Sequence, residues 1–175
     1  MDETRDVFAP LSIPWWIASG WAIDLYLRRQ TRAHADIDVS VLRADHQKLA
    51  ALLDEFELHI AADGVLIPWS GDELVAEDHQ FWVRRRGDEA WVFEILLEDH
   101  RGSEWQFRRD HRIRVPLTSL GRLNERGLPY VRPEVALPYK AKGHEIERNA
   151  ADFASAAPAL DDAARGCARG GASGA

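Results

Sequence analysis

Two periodicities follow each other between Trp15 and Leu42, and few folds accommodate both in so short a stretch. Pro14 is followed by Trp15, Trp16, Ile17 and Ala18, an apolar run that reads as a buried strand and stops at Ser19 and Gly20. Trp21 to Leu27 then places Ala22, Leu25 and Tyr26 near helical spacing, which predicts a strand, a tight turn and a short helix. After a polar loop, Arg28 to Ala35, the stretch from Asp36 to Leu42 alternates. Ile37, Val39 and Val41 fall on one face and Asp36, Asp38 and Ser40 on the other, the pattern of a half-buried strand.

That strand sets Asp36 and Asp38 side by side, and two like charges so close need an explanation. A hard cation bridges them, one is protonated, or both face water; Mg²⁺ is the cation best matched to carboxylates plus substrate phosphates. Upstream, the turn at Ser19 and Gly20 offers backbone N–H groups at a helix N-terminus to a phosphate, and a glycine there lets a ligand come close to the backbone.

Further along, Asp45 is expected to cap a helix running to about Phe56, with Leu49, Leu52, Leu53 and Phe56 on its apolar face. Gln80 to Arg86 and Trp91 to Glu98 read as strands of a hairpin around Gly87 to Ala90, and Arg112 to Leu117 as an edge strand. Pro133 suits a first helical position, Pro138 shortens or kinks that helix, and Asn149 is expected to cap another through Phe153. The residues from Gly166 have little to bury and are expected to be mobile.

Trp16-Ile17-Ala18-Ser19-Gly20-Trp21-Ala22-Ile23-Asp24-Leu25, Arg29 to Arg32, His34 and Asp36-Ile37-Asp38-Val39 resemble the small nucleotidyltransferases of the DNA polymerase β superfamily. These include the lincosamide nucleotidyltransferases and the aminoglycoside 2''-adenylyltransferases. The likeness is strongest over Trp15 to Leu42 and continues more loosely through Trp91 to Leu117 and Pro133 to Leu160. It implies an α+β fold: a nucleotidyltransferase-like mixed β-sheet with packed helices over residues 1–130, a short helical C-terminal segment over 131–165, and a tail at 166–175.

The resemblance further implies metal-dependent transfer of a nucleoside monophosphate, AMP in the leading case, from ATP or another NTP to a hydroxyl of a small acceptor, an aminoglycoside or lincosamide antibiotic. Asp36 and Asp38 would hold Mg²⁺, and a third carboxylate is expected on a neighbouring strand. Glu94 is the first choice for it, as metal ligand or base, with Glu98 in reserve because alternation puts both on one face. Ser19 and Gly20 would cradle the triphosphate, and Arg32 and Lys140, with Lys142, Arg108 and Arg109 as further cations, would offset its charge. Ser19 stands where the family usually has glycine; at a positive φ it costs about 1 kcal/mol or somewhat more. Trp82 or Trp105 is expected to line an acceptor pocket, while Asp24 is read as complementing the helix dipole.

Composition narrows the rest. A net charge of −7 disfavours gripping a nucleic acid backbone, which needs clustered Lys and Arg. The single cysteine, Cys167, and an acidic N-terminus without a secretory pattern point to the cytosol and to no membrane span. The seven histidines lack zinc-ligand spacing. Two rival readings stand beside the small-acceptor enzyme: a toxin-type nucleotidyltransferase acting on transfer RNA or protein, and a catalytically silent nucleotide-binding module. The resemblance also leaves room for a homodimer with the acceptor site between chains.

Overall fold

In the computed structural model, which describes residues 1–52, 55–62, 64–141 and 146–160, the predicted strand-turn-helix is present at the centre of a mixed sheet. Strand β1 (Trp15–Ile17) runs into helix α2 (Ser19–Leu27), which starts two residues earlier than its apolar spacing suggests. It follows α1 (Asp2–Phe8), which carries Phe8 into the core. β2 (Asp38–Leu42) returns antiparallel to β1, and Ala18 N–H donates to the Asp38 carbonyl, so the turn after β1 is fastened to the start of β2.

β2 then pairs in parallel with β6 (Trp91–Glu98), the far arm of the predicted hairpin whose near arm is β5 (Gln80–Arg85). β3 (Phe56–Ala62) and β4 (Val65–Pro68) continue the sheet beyond β5, while β11 (Pro129–Val131) and β10 (Gly121–Leu123) extend it beyond β1. The strand order is β10-β11-β1-β2-β6-β5-β3-β4, which is the mixed sheet of an α+β fold. On one face of the central strands Val39, Val41, Phe81, Val83, Phe93, Ile95 and Leu97 alternate inward and form a core with Phe8 and Leu49.

The opposite face is not the solvated one that alternation predicted for Ser40. A small second sheet of β7 (His100–Arg101), β8 (Glu104–Gln106) and β9 (Arg114–Pro116) brings Trp105 into full burial over it. Ser40 is therefore fully buried and donates to the Glu98 Oε1 at 2.7 Å. The edge strand expected at Arg112 to Leu117 is β9, shorter and at the edge of this small sheet.

Two helix assignments are corrected. The helix expected from Asp45 to Phe56 is a single 3₁₀ turn followed by α3 (His46–Leu52), and Phe56 opens β3; Leu53 lies outside the described residues. Asp45 holds Lys48 at 2.7 Å rather than capping. Asn149 lies inside α5 (Ile146–Ala156) instead of starting it. Pro133 does open α4 (Pro133–Lys140), and Pro138 sits inside this eight-residue helix. Lys142, Cys167 and the tail from Gly166 lie outside the described residues. Among the described residues no helix is long and apolar enough to cross a membrane.

Candidate active site

The parallel register between β2 and β6 sets Asp38 directly opposite Glu94. The strand expected from Asp36 begins only at Asp38, and Asp36, two residues before it, completes a group whose ligand oxygens lie within 4.8 Å of one another. The structure thus separates the two candidates for the third carboxylate: Glu94 joins the pair, whereas Glu98 pairs with Leu42 and is buried among Ser40, Trp105 and Tyr139. Burial, with Asp36 beside it, lifts the Asp38 carboxyl above the usual carboxylate range, against the pull of the Ser19 hydroxyl and Lys140. Glu94 is pushed up to about 8, first by burial and then by the charges of Asp38 and Asp36. Two carboxylates that resist ionising, Asp38 and Glu94, with Asp36 beside them, suit a hard divalent cation, and an all-oxygen donor set fits Mg²⁺ or Mn²⁺.

Ser19 has φ 51°, in the left-handed region that costs a residue with a side chain about 1–2 kcal/mol. The sharp exit from β1 demands that conformation, and in return the hydroxyl lies against Asp38. At Gly20 close packing leaves no room for a side chain. A Cβ there would sit 2.3 Å from Arg32 Nη2 and 2.6 Å from His34 Cε1, so the chain's own side chains fill the space.

The loop that brings in Arg32 and His34 is tied down by Asp24. That carboxylate, 4% exposed, accepts from the Thr31 N–H at 3.0 Å and contacts His34 Nε2 at 2.6 Å. Asp24 is structural, as read, but through this loop rather than the helix dipole. Trp21 stacks on His34 with centroids 4.3 Å apart, and its Nε1 donates to the Asp36 carbonyl at 3.1 Å. Gly20→Ala is accordingly expected to cost about 1–3 kcal/mol of stability, because the His34 ring is pinned on both sides. Chemical unfolding measures it, and a loss below about 0.5 kcal/mol would mean the loop yields freely.

A cleft of about 320 Å³ joins these parts. Ser19, Gly20, the three carboxylates, Arg32 and Lys140 all line it, so the expected phosphate-binding and acidic residues share one space. Arg108 and Arg109 enter it as well, their guanidinium carbons 5.7 and 5.8 Å from the Tyr139 ring centroid. Trp105 is sealed in the core with its Nε1 on Glu98, and Trp82 packs edge-on against Trp91, so neither lines this cleft. Sequence reasoning missed His79 and Arg148, which also line the cleft, and Asp152, which pairs with Arg32 and Lys140 behind it: lone polar residues far from the motif, with no spacing to single them out.

The sequence profile described as aminoglycoside-2''-adenylyltransferase matches residues 2–114. A 2''-aminoglycoside nucleotidyltransferase of Klebsiella pneumoniae and one of Escherichia coli are each 33% identical to this chain over 82 residues. The aligned stretch covers 46% of the chain and 44% of those relatives, less than half of their length. The crystal structure of ANT(2'')-Ia in complex with adenylyl-2''-tobramycin superposes with a TM-score of 0.59 at 16% identity, covering 97% of this chain and 94% of that one. A solution structure of ANT(2'')-Ia gives 0.57 at the same identity and coverage, and both likenesses concern the fold. With the profile spanning more than half of the sequence, the chain belongs to the aminoglycoside-2''-adenylyltransferase family.

Proposed function

We propose that the chain is a metal-dependent nucleotidyltransferase that moves a nucleoside monophosphate, AMP in the leading case, from an NTP to a hydroxyl of an aminoglycoside. The observation that carries this reading is one cleft with three clustered carboxylates on β2, β6 and the approach to β2, and cations on its other walls. Asp36, Asp38 and Glu94 would hold Mg²⁺, which when bound supplies charge neutralisation at the triphosphate oxygens.

The chain's own residues then have separable tasks. Arg32 and Lys140 bind the phosphates, assisted by Arg108 and Arg109. The turn at Ser19 and Gly20 opens α2 and presents its N-terminal dipole to them. The acceptor hydroxyl attacks the α-phosphorus, its oxygen-to-phosphorus bond forming as the bond to pyrophosphate breaks. Glu94 serves as a ligand of the ion, the hydroxyl proton then leaving to water, or, where Asp36 and Asp38 alone hold the ion, as the base that takes the proton, for which its burial suits it. An acidic wall also favours an acceptor bearing amines.

The test pairs labelled ATP, GTP, CTP and UTP with a panel of aminoglycosides and lincosamides and reads adducts by mass. A one-nucleotide adduct on an aminoglycoside that needs the metal is the expected result. Adducts only on transfer RNA or protein would replace the acceptor assignment, and metal-independent nucleotide binding that Asp36→Asn leaves unchanged would make the chain a silent module.

A pH dependence follows from the carboxylates. With its pKa raised from 4.5 to about 8, Glu94 is protonated over that interval in the metal-free fold while the unfolded chain has already released its proton. Its contribution to stability is full below about pH 4.5 and lost as pH rises through about 8. Cation binding needs the ionised form, so Mg²⁺ or Mn²⁺ should raise the melting temperature more at about pH 8 than at about pH 6, with a proton released on binding. Calorimetry in buffers of different ionisation enthalpy reads that proton; its absence at about pH 6 would remove Glu94 from the metal set.

A further inference from the structure

Asp152, on α5, is fully buried and stands behind the cleft rather than in its lining. Its carboxylate accepts from Arg32 Nε at 2.9 Å through Oδ1 and from Arg32 Nη2 at 3.1 Å through Oδ2, and Lys140 Nζ lies 2.7 Å from Oδ2. Arg32 comes from the loop between α2 and β2, and Lys140 from the end of α4, so one side chain ties together three elements distant in sequence. Both cations line the cleft, and Lys140 is near enough to Asp38 to act on its charge.

We propose that Asp152 is the positioning residue of the triphosphate site, setting the Arg32 guanidinium and the Lys140 ammonium in fixed orientation on one wall of the cleft. The inference rests on the cleft being a triphosphate site. Two cations against one carboxylate leave a net positive charge, which is what an incoming anion meets. The fork matters because Arg32 has five N–H donors: two go to Asp152 and a third, on Nη1, to the Ala33 carbonyl at 3.0 Å. The plane of the guanidinium is thereby set, and the two remaining donors have set directions. Burial alone would raise the Asp152 carboxyl, but hydrogen bonds from Arg32 and Lys140 outweigh it and hold the group below its ordinary value, so the clamp is ionised at neutral pH.

A positioning role has a sign that its rivals lack. Were Asp152 only a negative charge near the phosphates, its removal would tighten anion binding. Were it only a tie for α5, removal would lower the melting temperature and leave affinity in the folded protein unchanged. Positioning alone predicts weaker binding on losing a negative charge.

The experiment is calorimetric titration of the full chain with a nonhydrolysable ATP analogue and Mg²⁺, well below the melting temperature of each variant. Asp152→Asn is expected to weaken binding about tenfold or more, the scale of one or two charge-assisted hydrogen bonds. Arg32→Lys keeps the charge but has no fork for Asp152, and is expected to weaken it comparably; should Asp152→Asn not fold, it keeps the assignment open to refutation. Equal or tighter binding by Asp152→Asn, or by Arg32→Lys where it stands alone, overturns the assignment of Asp152. A wild type that binds no analogue overturns the triphosphate reading itself, and this inference with it.

Discussion

Asp38→Asn is expected to reduce nucleotidyl transfer by about 10³-fold while making the metal-free protein more resistant to heat. The two effects have one origin. Asp38 is held by β2 directly against Glu94, and burial with the neighbouring Asp36 charge lifts its carboxyl above the usual range, so the ionised side chain is a burden on the fold without a cation. Asparagine keeps the shape and an acceptor for the Ser19 hydroxyl but cannot carry that charge. It also removes the largest neighbouring charge acting on Glu94, whose pKa should move down from about 8. The stability gain should be small near pH 4 and grow toward about pH 8, because only above its unfolded pKa does aspartate ask the fold to hold the charge. Thermal melts with and without Mg²⁺ read both halves: the wild type should gain from the ion, and the variant should start higher and gain little. A variant that transfers normally would remove Asp38 from the metal site, and one that melts lower without metal would contradict the repulsion read from the geometry.

Much of the site was legible because it is built by local alternation. Alternation marks Asp38 on the polar face of one strand and Glu94, flanked by Val92, Phe93, Ile95 and Leu96, on another, while Asp36 joins them from two residues before β2 rather than from within it. What alternation cannot supply is register. Glu94 and Glu98 satisfy the same period, and only the pairing of β2 with β6 puts the first opposite Asp38 and the second opposite Leu42, about 13 Å further along. The helix expected through Phe56 failed for a related reason. Leu49, Leu52, Leu53 and Phe56 fit helical steps, but Phe56, Leu58 and Ile60 alternate equally well with Glu57 and His59, and strand partners on both sides decide between the periods. The left-handed Ser19 was foreseeable, since the turn demands a position usually given to glycine. The Gly20 contact with His34 and the Asp152 clamp were not, because each depends on side chains brought together from separate segments.

The largest loss of stability should come from Glu98→Ala, about 3–5 kcal/mol, although Glu98 lies outside the carboxylate cluster. Its carboxylate collects three donors: the Ser40 hydroxyl at 2.7 Å, Trp105 Nε1 at 2.7 Å and the Tyr139 hydroxyl at 3.0 Å. Ser40 and Trp105 are fully buried, so alanine strands their donors where water cannot replace the acceptor. Glutamine should cost much less, since its carbonyl can serve Trp105 and Tyr139 while its amide donates to the Ser40 oxygen. The comparison is also pH-dependent. Burial raises the Glu98 carboxyl, so its share of stability is full below about pH 4.5 and declines as pH climbs toward the folded value. Glutamine has no such titration, and the wild type's advantage over it should therefore narrow between about pH 5 and about pH 8. Because Tyr139 immediately precedes Lys140 on α4, alanine should also loosen the cleft's cationic wall and weaken nucleotide binding in the folded protein. Urea unfolding at both pH values measures the first two effects and titration with the ATP analogue the third. An alanine variant as stable as the glutamine one would show that the three donors find other partners.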